Sequence, residues 1–277
     1  GDATFSIRSY LRKLDRQIRI RSVETMSAIM TYKAGSWSSA EILSIVDDVS
    51  GLISDDDIGV SNSSILLLEN CITIMPEIAP TLLGKTSSCI QQLLSSPTLQ
   101  SSSLEHVKSL LQKISAKIPD SNRKIVIEEF VEFGYRSESK HTHAATAKCV
   151  AALATCSEES SVYLSSQLSH LSTCGISQKV FLLYCIREAG AAKLALLDED
   201  GLRNAIVACL DDEASSEAAS SALGGLAAGL NPSHLNHIRN VLSEPNDKKS
   251  QYHMLRALVE ALRIISRSDD AIDGQVQ

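Results

Sequence analysis

The sequence predicts an all-α protein, a right-handed α-solenoid built from about seven helical hairpins. Three observations favour this fold class. The 277 residues are 44% hydrophobic but only 4% aromatic, so the core must be aliphatic, which suits close packing of helix on helix. Only six prolines and 13 glycines interrupt the chain, which is sparse for an all-β protein. Segments with helical apolar spacing alternate with short polar turns along the sequence.

The clearest pair of helices lies in residues 38–75. Apolar residues recur at helical spacing over 42–53, and the polar run 54–57 then breaks the pattern. An Asp or Ser oxygen in that run can cap the next helix, which we expect to end before Pro76. Small residues near the start of a second helix, as in 218–224, let neighbouring helices approach closely.

This order of segments recurs about every 40 residues, which is the HEAT period and exceeds the tetratricopeptide and ankyrin periods of about 34 and 33. A globular helical bundle is the alternative, but it would need no steady period. If the array is part of a longer one, its end repeats should expose apolar surface or fray. We therefore predict a single HEAT-repeat solenoid fragment over residues 1–277, with approximate repeats 3–31, 38–75, 79–118, 121–156, 158–192, 200–228 and 233–266, and with 267–277 as a disordered tail or the start of the next repeat.

Charge and cysteine content limit the classes of partner and the cellular compartment that we expect. The net charge is −7 and no Lys/Arg-rich run occurs, which disfavours nucleic acid and anionic membrane surfaces as partners. We find no signal peptide and no run of about 18 apolar residues. The seven cysteines are odd in number and irregularly spaced, so we expect buried free thiols in a reducing compartment.

Two groups of residues contain side chains of the types that bind a metal ion or act as a nucleophile. His141 and His143 precede Cys149, but histidines two residues apart point about 200° apart on a helix, and no second Cys/His cluster completes a four-ligand site. We interpret the histidines as polar turn residues and an N-terminal cap. Cys149 and Cys156 are spaced to share one helix face, where structural thiols are the favoured interpretation. We predict no metal.

Two further motifs are also interpreted structurally. Gly224 and Gly225, followed by Gly229, lie inside a helical pattern rather than after a strand, so tight helix packing is favoured over a phosphate loop. The run 55–57 lacks the ligand order of an EF-hand and is expected to be a solvated N-cap cluster. With no catalytic constellation and no cofactor motif, we predict a protein that is not an enzyme.

A partner contact is the remaining possibility for a few polar side chains. Lys248 and Lys249 stand beside Gln251 and Tyr252 at the turn into a predicted second helix, and a tyrosine with a cation can anchor an interface. Arg187, late in another second helix, is a candidate of the same kind. For all five, an ordinary packed or solvated role is the alternative.

Several segments resemble the cullin-associated and neddylation-dissociated proteins, a HEAT-repeat family that includes TATA-binding-protein-interacting members. The similar segments follow the family's order and spacing and extend from about Leu11 to Ser266, as in the central to C-terminal repeats of a divergent member. The turn 244–250 is longer than the family's. The segments are 47–61, 93–100, 147–153, 218–224, Gln251 with Tyr252, Leu255 with Leu258, and 264–266.

The resemblance implies a scaffold segment that binds an unneddylated cullin and its RING subunit and promotes exchange of substrate-receptor modules on cullin–RING ubiquitin ligases, including SCF complexes. It implies a location in cytoplasm and nucleus and a role in the ubiquitin-like conjugation pathway. The fragment itself is expected to be monomeric. The alternative is a HEAT scaffold of another class, such as a nuclear transport receptor or a phosphatase scaffold.

Overall fold

The computed structural model describes residues 7–13, 15–54, 56–229, 231–244 and 248–273, with side chains up to residue 267. These residues contain helices and turns but no strand, which confirms the all-α class. Within them no single helix is long and apolar enough to cross a membrane, although the bent pair Ile58–Ile74 and Pro76–Ser95 meets the criteria of length and composition. The chain divides into two compact units, Gly1–Arg123 (unit 1) and Lys124–Gln277 (unit 2).

The helices of the described residues follow one another through short turns. Short 3₁₀ segments occupy Ala34–Ser36, Pro76–Ile78 and Ser169–Ser172, and residues 7–10 are also helical. The α-helices are α1 (Arg16–Tyr32), α2 (Ser39–Ser50), α3 (Ile58–Ile74), α4 (Ala79–Ser95), α5 (Ser101–Ser115), α6 (Asp120–Arg136), α7 (Lys140–Ala154), α8 (Glu158–Leu168), α9 (Ile176–Ala191), α10 (Glu199–Ala208), α11 (Ser216–Ala228), α12 (Ser233–Ser243) and α13 (Lys248–Asp273).

The odd-numbered helices, which we call the second helices, stack on one another within each unit. In unit 1, α1 packs on α3 and α3 packs on α5; in unit 2, α7, α9, α11 and α13 follow in the same way. In most hairpins the helix that precedes a second helix packs against it, as α4 does on α5 and α12 on α13. This nearest-neighbour packing is the organisation of a helical repeat protein, in which each hairpin buries its apolar face against the next.

Polar contacts between equivalent positions repeat the period. In unit 1, Ser27 bonds Asn70, Asn62 bonds Ser103, and Lys113 pairs with Glu69, at separations of 43, 41 and 44 residues. In unit 2, Ser177 donates to Ser137, and Arg256 donates to Glu217, at separations of 40 and 39. Other contacts in unit 2 have separations of 32 to 34 residues.

The predicted polar turns do cap the helices that follow them. Ser38 and Glu41 form a complete capping box at the start of α2. Asp57 caps α3, its carboxylate accepting from the Val60 N–H at 3.1 Å. Ser139 caps α7 in the same manner, accepting from Thr142 N–H. These caps satisfy amide groups that a helix start leaves unpaired.

The chain ends differ in detail from the sequence-based bounds. The first predicted repeat, 3–31, is described from residue 7 except for residue 14, and residues 7–10 are helical ahead of α1. Residues 267–273, predicted as part of a disordered tail or the start of the next repeat, continue α13, and 274–277 lie outside the described residues. Continuity of one solenoid over 1–277 and its right-handed sense remain predictions.

Candidate partner-binding surface

Helix α11 is built from small residues, and its neighbours approach it closely. A Cβ added to Gly225 would lie 2.4 Å from the Arg187 carbonyl oxygen of α9. On the other side of α11, a Cβ added to Gly224 would lie 2.6 Å from the Ala257 carbonyl oxygen of α13. Only glycine fits between backbones at such distances. The interpretation of the glycine pair as tight helix packing is therefore confirmed, since both glycines lie inside α11.

The absence of side chains at the glycine pair lets α9 reach α13 directly. Arg187 Nε donates to Glu260 Oε1 at 2.8 Å, and the same guanidinium pairs with Glu188. The Arg187, Glu188 and Glu260 side chains are only 17%, 12% and 13% exposed. Burial alone would lower the pKa of Arg187, but the two carboxylates raise it above its usual value. Arg187, a sequence-based contact candidate, is thus occupied inside unit 2.

A more exposed set of charges joins three of the second helices in unit 2. Glu217 of α11 accepts from Lys140 of α7 and from Arg256 of α13, both at 3.0 Å. The Arg256 guanidinium also lies over the Tyr252 ring, 5.8 Å from its centroid. Hydrogen bonds from Lys140 and Arg256 lower the pKa of Glu217 and keep it ionised. We call Lys140, Glu217, Tyr252 and Arg256 the polar row.

The structure places four sequence-based candidates together in the first turns of α13. Lys248 is exposed, and Lys249 Nζ donates to the Asp211 carbonyl oxygen at 3.2 Å. Gln251 is half-buried, whereas the Tyr252 side chain is 55% exposed and adjoins Arg256. A role of these residues in partner contact stays a prediction.

Sequence reasoning missed Lys140, Glu217 and Arg256. Two signals could have found them. Arg256 follows Tyr252 by four residues, so both lie on one side of a helix. Glu217 and Arg256 are 39 residues apart, about one repeat period, which places them on successive second helices.

The two histidines are not capping or turn residues, because α7 begins at Lys140 and its cap is Ser139. His141 is exposed, whereas His143 is buried, with Nε2 2.7 Å from the Ser137 carbonyl oxygen and its ring 5.6 Å from that of Phe181. Burial lowers the pKa of His143. Among the described residues no three His, Cys, Asp or Glu side chains form a group able to hold a metal ion.

None of the seven cysteines, all of which lie among the described residues, forms a disulfide; Cys71, Cys149, Cys185 and Cys209 are buried, and Cys89, Cys156 and Cys174 are half-buried. Cys149 and Cys156 do not share a helix face, because α7 ends at Ala154.

Asp57 is the N-cap that the acidic run was expected to provide, and it also pairs with Arg16 at 3.0 Å. Asp55 lies outside the described residues.

Comparison with known proteins gives one informative similarity. No family model matches the chain. Solved structures with 15–17% identity include an engineered protein and a designed armadillo repeat protein. The alignment with the engineered protein covers 95% of this chain and 98% of the engineered chain, with a TM-score of 0.41. The alignment with the armadillo repeat protein covers 92% of this chain and 98% of the designed chain, with a TM-score of 0.36. The chain is 23% identical to Cullin-associated NEDD8-dissociated protein 1 of Drosophila melanogaster over 98% of its own residues, and it spans 23% of the length of that protein.

Proposed function

We propose that this chain is a protein-binding segment of an assembly factor for cullin–RING ubiquitin ligases. In this proposal it contributes to binding an unneddylated cullin and its RING subunit, and the protein that contains it promotes exchange of substrate-receptor modules. The observation that carries the proposal is the similarity to a cullin-associated protein across 98% of the chain. The stacked second helices and the recurring polar contacts between them are consistent with such a scaffold.

The polar row is the surface that we assign to the contact. It combines an exposed tyrosine with an arginine, the residue types that most often anchor protein interfaces. Its members come from three second helices of one unit, so a partner lying across them would contact several repeats together. Binding of this kind changes the occupancy and release rate of competing modules through contact and exclusion, and it needs no covalent chemistry.

A binding experiment with defined components tests this assignment. Immobilised chain is incubated with a purified, unmodified cullin–RING complex, and the bound fraction is compared between wild type and the double variant Tyr252→Ala, Arg256→Ala. We expect the double variant to bind at least about tenfold more weakly, because interface anchors commonly contribute more than 1.4 kcal/mol each. The matched control is Arg136→Ala, whose side chain is 79% exposed on α6. It should bind like the wild type.

The outcome also separates this function from the other scaffold classes. Absence of cullin binding by both the chain and the whole protein that contains it would contradict the proposal. Recovery of a small GTPase or of phosphatase subunits would instead favour a nuclear transport receptor or a phosphatase scaffold. We further propose that the protein acts in cytoplasm and nucleus, which imaging of the tagged whole protein would test.

A further inference from the structure

An open groove of about 380 Å³ is lined by residues of α6 and α8, the helices that precede the second helices α7 and α9. We call it the α6–α8 groove. Its apolar wall contains Val162, which is 45% exposed, and the half-buried ring of Tyr163. Lys124 lines it from α6, and Glu158 and Glu159 line it from the first turn of α8. An apolar wall with exposed charges around it is the composition of a surface that binds a segment of another protein.

The charges of the groove are available to a partner. Within the described part of the chain, the side chains of Lys124, Glu158 and Glu159 form no ion pair. A third carboxylate, Glu128, is exposed one turn after Lys124 on α6. Burial raises the pKa of Tyr163, and the Glu128 carboxylate adds to the rise, so this carboxylate lies near the wall of the groove. Three carboxylates and one ammonium group give the groove and its rim a net negative charge.

We propose that the α6–α8 groove binds a basic segment of a partner protein, one that carries lysine or arginine side chains next to a large apolar side chain. The carboxylates attract the cations of such a segment, and Val162 with Tyr163 contacts its apolar side chain. Lys124 can donate to a carbonyl oxygen of the same segment.

The sign of the charge selects this occupant over others. A second copy of the chain, paired symmetrically through the groove, would bring the same carboxylates against each other. Nucleic acid and an anionic membrane would both be repelled by the negative rim. The inference does not depend on cullin binding, because the polar row lies on α7, α11 and α13.

Selection from a peptide library tests which chemistry the chain prefers. The 277-residue chain is immobilised, and displayed random peptides of about 12 residues are selected against it at low ionic strength, where charge pairs are least screened. We expect the enriched peptides to combine several lysine or arginine residues with a large apolar residue. The most enriched peptide is then synthesised with a fluorescent label, and fluorescence anisotropy measures its Kd.

Groove variants then test where that peptide binds. The double variant Glu158→Gln, Glu159→Gln should bind it roughly fivefold more weakly, the loss expected for two exposed charge pairs. The matched control is Glu24→Gln, Glu105→Gln, which removes the same two charges from side chains of unit 1 that are 47% and 62% exposed. This control should bind like the wild type. Val162→Ser should also weaken binding, because the apolar contact is lost.

Stability is measured beside binding, because Glu158 and Glu159 also interact favourably with the amide groups at the start of α8. Circular dichroism gives the Tm of each variant, and all anisotropy titrations are made well below the lowest Tm. Failure to enrich basic peptides with an apolar residue would overturn the proposal. It would also be overturned by equal Kd values for the wild type and the groove double variant, or by equal weakening in the groove and control double variants.

Discussion

Arg187 of α9 pairs with Glu260 of α13 across α11, the helix that separates them in the stack. The two residues are 73 positions apart, so the pair joins two second helices that are not neighbours in sequence order. The contact exists because α11 presents Gly224 and Gly225 at the crossing. Small residues and a largely buried ion pair thus act together to fix three helices of unit 2.

Removing Arg187 should strongly destabilise the chain. In Arg187→Met, the Glu188 and Glu260 carboxylates lose their shared partner while they stay mostly buried. We expect a loss of about 3 kcal/mol in the free energy of unfolding, measured by urea denaturation at neutral pH. The double variant Arg187→Met, Glu260→Met should recover part of that loss. Equal stability of wild type and Arg187→Met would show that the pair contributes little.

The polar row should contribute much less to stability. Glu217 is 54% exposed, so its pairs with Lys140 and Arg256 are screened by solvent. We expect Glu217→Ala to change the free energy of unfolding by less than about 1 kcal/mol in the same urea titration. A loss as large as that of Arg187→Met would contradict the assignment of this row to the surface.

Glycine substitution should separate close packing from helix propensity. Gly225→Ala places a Cβ against the backbone of α9, and we expect it to cost about 1–3 kcal/mol in unfolding free energy. Gly84→Ala, inside α4 and with no atom within 4 Å of the added Cβ, should instead stabilise the chain by about 0.5–1 kcal/mol. Differential scanning calorimetry of both variants checks the prediction. A stabilising Gly225→Ala would refute the close approach.

Stability should decline on acidification below neutral pH. Burial lowers the pKa of His143 and of His237 in the folded state below the ordinary value of 6.5. The unfolded chain therefore binds more protons, and unfolding free energy falls as pH drops below about 6.5 towards the folded pKa values. Urea titrations at pH 7.5 and 5.5 measure this. His143→Gln should flatten the dependence, whereas the exposed neighbour variant His141→Gln should retain it; an unchanged profile in His143→Gln would contradict the assignment.

The buried thiols should be unreactive in the native state. Burial raises the pKa of Cys71 to about 12 and raises that of Cys185 well above its ordinary value. Brief iodoacetamide treatment at pH 8 should therefore leave both cysteines unmodified, while denaturation in urea exposes them. Peptide mass spectrometry provides the readout. Rapid labelling of Cys185 in the native protein would contradict the burial of this thiol in α9.

The sequence could predict the helices because their signals are local. Apolar spacing and cap residues such as Ser38 and Asp57 lie within one helix or turn. Two adjacent glycines inside a helical pattern likewise indicate that neighbouring helices approach closely there. The polar row could not be found in this way. Lys140 and Glu217 meet at a separation of 77 residues, which depends on how successive repeats pack. His143 was misplaced because α7 begins one residue before His141, so the histidines are inside the helix.

The most direct test of the proposed function compares two forms of one ligand. Biolayer interferometry measures the Kd of the whole protein that contains this chain, and of the 277-residue chain, for a cullin–RING complex before and after NEDD8 conjugation. We predict that the whole protein binds the unmodified complex and that conjugation weakens binding by about tenfold or more, equivalent to 1.4 kcal/mol. No binding, or equal affinity for both forms, would contradict the account.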